Sequence, residues 1–296
     1  MFGRLVPILV IYLALSAGPA LAADKLKAVA SFTILADFVR EIGGERVEVA
    51  SLVGPDADAH SFQPSPADAR RIKEARLVVV NGLGFEGWID RLLRASGSTA
   101  PILVASAGVT PIKGRGGHDH DVDPHAWQDV GNAKLYVAAI GDGLAKADPD
   151  GRGTYQANAA RYTAQLEDLE RDIRESVAAI PPARREVITT HDAFGYFGRT
   201  YGLTFTAPQG VSTDSEASPR DVGRIIRQIR KDRIPAVFLE NIADPRLMQQ
   251  VARESGAAIG GKVFSDALSG PDGPAPTYVA MMRNNVAAFA AALGKR

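Results

Sequence analysis

The sequence predicts an α/β chain wound into two lobes and joined by one long helix. Three observations carry this. From Lys25 onward, short β-branched runs alternate with amphipathic stretches, the pattern of βα units and parallel strands. At 296 residues, 46% hydrophobic and 23% charged, the chain is long enough for two ordinary cores. A single helical pattern from Thr154 to Ile180, with no internal Gly or Pro, runs between the two wound halves. The expected organisation is an export signal over residues 1–22, a first lobe over 23–146, a linking helix over 147–181 and a second lobe over 182–296.

Composition narrows the function before any motif is read. Lys plus Arg and Asp plus Glu number 34 each, so no basic field exists to hold nucleic acid. There is no cysteine, which removes disulfides, thiolate metal sites, cysteine nucleophiles and a lipid-anchor cysteine together. Any metal must be held by N and O ligands. Arg4, the apolar run Leu5 to Ala17 and the small residues of Ala20-Leu21-Ala22 read as a cleaved secretory signal peptide, with a run too short for a confident membrane span. The mature chain is expected to start near Ala23, in the periplasm.

In order along the first lobe, Leu26 to Ser31 reads as a strand and Ile34 to Ile42 as a helix ended by Gly43-Gly44. Val47 to Val53 is a second strand, broken by Gly54-Pro55. The loop after it carries Asp58, His60, Ser61, Phe62, Gln63 and Pro64, and Ser65-Pro66 opens a helix. Leu77 to Asn81 and Ile102 to Ala105 are the third and fourth strands. Loops at the carboxyl ends of parallel strands are where open α/β sheets bind ligands, and His60 lies in one; taken locally, it reads equally as a surface histidine.

Gly114-Arg115-Gly116-Gly117 then leads into His118-Asp119-His120-Asp121, a short tether with an accessory metal-catching role or simply a solvated loop. Next comes Asp121-Val122-Asp123-Pro124-His125-Ala126-Trp127. Three of the five histidines fall between His118 and His125, and His60 and His191 lie 65 and 66 residues away on either side of His125. That spacing suits ligands at the ends of every second strand of a wound chain. Neutral imidazole is the commonest protein ligand for a transition metal, and Pro124 fixes the backbone before His125. The plainer reading is a polar loop with one buried, hydrogen-bonded histidine.

Asn132 to Lys146 has helical periodicity and closes the first lobe. In the linking stretch, Tyr155, Ala159, Tyr162, Leu166, Leu169, Ile173, Val177 and Ile180 keep a 3/4 spacing until Pro181-Pro182 stops it. At 1.5 Å per residue this is about 40 Å of helix, more than one small lobe needs. A strut between lobes fits better than a coiled-coil seam.

The second lobe repeats the logic. Glu186 to Thr190 is a strand ending on His191-Asp192, followed by an aromatic turn through Phe194, Tyr196 and Phe197. Leu203 to Ala207 is the next strand, and Ser215 to Ser218 with Pro219 starts a helix over Asp221 to Lys231. Ala236 to Leu239 ends on Glu240-Asn241, Ala257 to Phe264 ends on Ser265-Asp266, and Ala280 to Leu293 is a closing helix. His191, Glu240 and Asp266 thus stand at strand ends facing a cleft. Asp266, 75 residues beyond His191, is the better fourth ligand, and Glu240 reads as a hydrogen-bonded carboxylate behind one.

At these residues the chain resembles the metal-binding solute receptors of bacterial ABC importers for zinc and manganese, the cluster A-I or TroA-like family. DADAHSFQPSP around His60, DVDPHAW around His125, ITTHDAFGYFGRTYGL around His191 and KVFSDALSG around Asp266 carry the resemblance, which spans the mature chain. It implies two lobes, each a four-stranded parallel sheet flanked by helices, on one rigid linking helix. It also implies one metal ion held by His60 and His125 from the first lobe and His191 and Asp266 from the second. Three imidazoles and one carboxylate suit tetrahedral Zn(II), whereas Mn(II) favours more oxygen and higher coordination; Mn(II) remains the alternative cargo. The implied partners are an ABC permease membrane subunit and, less directly, a periplasmic metallochaperone, with the receptor a monomer. Many zinc receptors carry a long His-rich loop where this chain has only His118 and His120.

Two other readings are open. A metal-dependent hydrolase would need an open water position and Glu240 or Asp192 as general base, and neither forms a familiar catalytic motif. A receptor for a chelate, haem or corrinoid would need a wide cleft in place of four convergent ligands.

Overall fold

The structure, a computed structural model, describes residues 24–114 and 122–294. His118, His120 and the amino-terminal signal stretch lie outside the described residues. In the first lobe the strands are β1 (Leu26–Ala30), β2 (Val47–Ser51), β3 (Leu77–Val80) and β4 (Ile102–Val104), and the helices are α1 (Thr33–Gly43), α2 (Pro66–Glu74), α3 (Ile89–Ser96) and α4 (Val130–Ala147). The linking helix α5 covers Arg152–Ala178. The second lobe has β5 (Glu186–Ile188), α6 (Gly195–Tyr201), β6 (Thr204–Thr206), α7 (Pro219–Asp232), β7 (Ala236–Glu240), α8 (Arg246–Ser255), β8 (Ala258–Val263) and α9 (Tyr278–Leu293).

Each lobe holds one four-stranded, all-parallel sheet, ordered β2-β1-β3-β4 and β6-β5-β7-β8. The two orders are the same winding repeated, so the carboxyl-terminal edges of both sheets can face one cleft. Central strands are apolar on both faces, as β3 with its four buried residues shows, because helices cover each side.

Local chemistry fixes the boundaries. Ser65 caps α2 in a reciprocal box with Asp68, and Pro66 occupies the first helical position. Gly97, Gly202 and Gly256, all left-handed, end α3, α6 and α8. The sequence pattern names no helix over α3 or α8. Both are short amphipathic turns next to Gly, where few periods are available to count. The expected aromatic turn after His191 is helix α6, and α4 begins at Val130, where the Asp129 side chain accepts from Gly131 N–H.

Linking helix α5, 27 residues long, buries Tyr155, Tyr162, Leu166, Leu169, Ile173 and Val177 along one stripe. Its first half is tied to α1, where Asn158 donates to the Ile42 carbonyl. Its second half meets α6 and α9 through Arg174 to the Thr200 carbonyl and the Arg283–Asp172 ion pair. One continuous apolar cluster runs from β1 and α1 through α4 and α5 to Phe205, Phe238 and Phe289 of the second lobe. A smaller cluster around Ile188, Ile225, Ile229, Val237 and Met248 completes that lobe under α7 and α8. The lobes therefore share a core along the linking helix, and the cleft lies away from it.

Candidate metal centre

Four side chains from the segments that follow four separate strands meet in this cleft. His60 follows β2, His125 follows β4, His191 follows β5 and Asp266 follows β8. The first interval matches the expected spacing of alternate strands, β2 and β4, whereas the second is spent mostly on α4 and α5 and contains one strand, β5. All four are buried; His125, His191 and Asp266 have no exposed surface and His60 keeps 8%.

One ligand atom from each lies within 4.8 Å of every other. His60 Nε2 and His191 Nε2 are each 3.3 Å from His125 Nε2. Asp266 Oδ2 is 3.4 Å from His60 Nε2 and 3.1 Å from His191 Nε2, and Asp266 Oδ1 is 3.5 Å from His125 Nε2. A tetrahedron with arms of 2.0–2.1 Å, the usual Zn–N length, has edges of about 3.3 Å. These five separations bracket that value, and the remaining pair, His60 and His191, lies within 4.8 Å. Both Asp266 oxygens are fully buried, and among the described residues no hydroxyl or backbone N–H donates to them; they face only the histidine nitrogens. A buried carboxylate without donors is costly unless a cation faces it.

The backbone around each histidine is fixed by a carboxylate. The pattern Asp-x-His occurs twice. Asp58 Oδ1 accepts the His60 N–H at 2.9 Å, and Asp123 Oδ1 accepts the His125 N–H at 2.9 Å and meets its Nδ1 at 2.8 Å. Glu240 does the equivalent work from β7: Oε1 accepts the N–H groups of Thr190 and His191, and Oε2 meets His191 Nδ1 at 2.5 Å. A carboxylate at Nδ1 sets the tautomer that leaves Nε2 free to ligate. Sequence reasoning alone assigns this task to neither Asp58 nor Asp123; the repeated Asp-x-His spacing is the signal that points to it.

A further buried network positions Pro124. Glu86, fully buried, accepts from the Ser31 hydroxyl and the Asn81 N–H, each at 2.6 Å. Asn81 then donates to the Pro124 carbonyl at 3.0 Å and accepts from Tyr136 at 2.6 Å. Behind His125, the Trp127 indole and the Gln128 amide both donate to the Ser265 carbonyl, at 2.9 and 2.8 Å, which joins the His125 turn directly to the residue before Asp266. Phe85 and Trp127 pack edgewise against His125, and Phe85 against His60, so the walls are apolar.

The electrostatics follow from this packing. Burial pulls the His125 imidazole toward the neutral form, but Asp266 and Asp123 more than offset it and push its pKa up to about 9. Burial acts the same way on His191, and Glu240 with Asp266 raises it well above the ordinary value. His60, without an equivalent pair of carboxylates, is lowered by burial. Burial alone would raise Asp266, yet His191 and His125 hold it well below the usual carboxylate range. The cage is a negative, water-poor site that attracts either protons or a metal cation.

Comparison with known proteins agrees with this chemistry. A family model described as ZnuA, "Zinc-uptake complex component A periplasmic", matches residues 28–292. The chain is 34% identical to the manganese-binding lipoprotein MntA of Halalkalibacterium halodurans, over 92% of this chain and 90% of that protein. It is 33% identical to the iron-binding protein YfeA of Yersinia pestis, over 94% of this chain and 89% of that one. Among solved structures, the periplasmic zinc-binding protein TroA from Treponema pallidum superposes with a TM-score of 0.87 at 29% identity, covering 92% of this chain and all of that one. A manganese-bound point mutant of a periplasmic metal-binding protein from Candidatus Liberibacter asiaticus superposes with a TM-score of 0.84 at 30% identity, covering 91% of this chain and 100% of that one.

Proposed function

The chain belongs to the periplasmic zinc-uptake component A family, receptors that bind metal for ABC importers, and we propose that it captures Zn(II) between its lobes through His60, His125, His191 and Asp266. The observation that carries this reading is the convergence of four buried residues, one ligand atom from each within 4.8 Å of every other, around a carboxylate to which no hydroxyl or backbone N–H of the described residues donates. Four protein ligands fill a tetrahedral shell, as a capture site requires and a catalytic site avoids. The family consists of receptors, not enzymes, and Glu240, one of the two bases considered for a hydrolase, is engaged by His191 and the Thr190 N–H. The apolar walls and narrow span of the cage suit a bare ion rather than a chelate or haem.

Mn(II) is the second reading. Both Asp266 oxygens face the histidines, Oδ2 toward His60 and His191 and Oδ1 toward His125, so bidentate binding would give the five-coordinate, oxygen-richer shell that manganese tolerates. MntA carries a manganese name and YfeA an iron name, whereas TroA carries a zinc one. At equal availability the Irving–Williams order favours zinc over manganese at one site.

The same proposal includes export by residues 1–22, function as a monomer, and delivery to the membrane permease of an importer, with a periplasmic metallochaperone as the upstream donor. His118 and His120 would serve as a transient capture loop.

Titration calorimetry of the metal-free protein against a competing chelator tests it. One equivalent of zinc should bind, more tightly than manganese, and His125→Ala should weaken zinc at least about tenfold, or 1.4 kcal/mol. Substoichiometric zinc binding, or an affinity indifferent to His125, would refute it.

A further inference from the structure

The two sides of the cleft are fastened differently. On the His125 side the lobes are joined by buried bonds: Trp127 and Gln128 to the Ser265 carbonyl, the Tyr278 hydroxyl to the Trp127 carbonyl, and the Val130 N–H to the Tyr201 hydroxyl. These groups sit in the shared core, so separating them exposes aromatic surface and strands buried polar atoms. On the His60 side the loop after β2 crosses to the second lobe through few, water-accessible contacts. Asp58 Oδ2 accepts from the Thr213 hydroxyl at 2.6 Å, and Asp56 meets the Asn241 amide at 3.0 Å and the Leu268 carbonyl at 3.0 Å through its N–H.

Asp58 occupies a particular place among these. Its Oδ1 fixes the backbone N–H of His60, and its Oδ2 takes both the Ser61 hydroxyl and the Thr213 hydroxyl. One carboxylate thus links the His60 loop to the segment before α7 in the opposite lobe. A cavity of about 430 Å³ lies against this link, lined by Asp58, Thr190 and Thr213 among others. None of the four ligands lines this cavity, but two residues next to them do: Thr190 directly precedes His191, and Asp58 holds the His60 backbone. Of the four ligands, His60 alone keeps exposed surface. His60 also differs from its partners in its ring contacts: His125 and His191 are braced at Nδ1 by Asp123 and Glu240, whereas Asp58 holds His60 through its backbone.

Resting on the metal-receptor reading above, we propose that Asp58 is a positioning residue whose bond to Thr213 gates the site: metal passes on the His60 side, where the one partly exposed ligand stands, when this cross-lobe bond opens. The gate sets how fast the ion moves in both directions. It leaves the depth of the bound state to the four ligands, because Thr213 touches none of them.

The test is rapid-mixing kinetics of zinc uptake and of zinc extraction by a chromogenic chelator, together with equilibrium affinity, for the wild-type protein, Thr213→Val and Thr213→Ser. Thr213→Val should raise both rates about tenfold, the loss of roughly one hydrogen bond to a charged group, while the equilibrium constant moves less than about twofold. Thr213→Ser, which restores the hydroxyl, should return both rates to the wild-type values. Unchanged rates in Thr213→Val would overturn the gate. So would faster extraction matched by an equal loss of affinity, because the bond would then be part of the cage's stability. Failure of the wild-type protein to bind zinc would instead sink the zinc reading on which the proposal rests, and the two failures are distinguishable in one data set.

Discussion

Two protons and one divalent cation carry the same charge, and the residues of this cage exploit that equivalence. His125, pushed up to about 9, and His191, raised well above its ordinary value, hold protons at neutral pH in the metal-free protein, while His60 does not. Metal must displace these protons, so its apparent affinity rises with pH through the neutral range and levels off once pH exceeds the raised values. Below that point each proton costs up to tenfold per pH unit. Calorimetry in buffers of different ionisation enthalpy should show about two protons released per zinc near pH 7.5. Release near zero would mean that the imidazoles are already neutral. An unperturbed imidazole would set this threshold near roughly 6.5. Sequence alone does not reveal the higher one, because the carboxylates that raise it converge only in three dimensions. Glu240 acts through His191, so Glu240→Gln, which keeps the shape and removes the charge, should lower zinc affinity about 10- to 100-fold. The same calorimetric competition measures it.

At the scale of elements, the site depends on strand ends held at fixed separation by helices. The strands are legible because β-branched runs between Gly, Pro and Asn are distinctive, and the strut is legible because its 3/4 spacing persists for 27 residues. Helices α3 and α8 are not, being 8 and 10 residues long with little periodicity to count. The clue of evenly spaced histidines works as expected for His60 and His125, after β2 and β4, but for a different reason between His125 and His191, where α4 and α5 fill most of the interval. Gly195 shows how an element boundary serves the site. A side chain there would place a carbon against Asp123 Oδ2, so the first residue of α6 must be small to leave room for the carboxylate that braces His125. Gly195→Ala should therefore weaken zinc binding with little change in the far-ultraviolet circular dichroism. Ile173 lies fully buried in the second half of α5. Ile173→Ala should cost about 2–5 kcal/mol of unfolding free energy by urea titration, through the cavity it leaves.

For the whole molecule, a core shared along the linking helix makes wide separation of the lobes expensive, while the lightly fastened His60 side leaves a small motion available. Metal bound between the lobes ties them further. The loaded protein should melt higher than the metal-free one by an increment that grows with free zinc, following RT ln(1 + [L]/Kd), or about 2.7 kcal/mol at a hundredfold excess over Kd. The family, the two-lobed architecture and the four converging residues are all readable from motif order. The choice between zinc and manganese is not, because the same four residues offer a four- or a five-coordinate shell according to whether Asp266 lends one oxygen or two. The measurement that bears most directly on the account is a crystal structure of the zinc-loaded protein with anomalous diffraction at the zinc edge. The account predicts a single strong peak about 2.0–2.2 Å from the Nε2 atoms of His60, His125 and His191 and from an Asp266 oxygen. A peak that omits any of these four, or that lies elsewhere on the molecule, would contradict it.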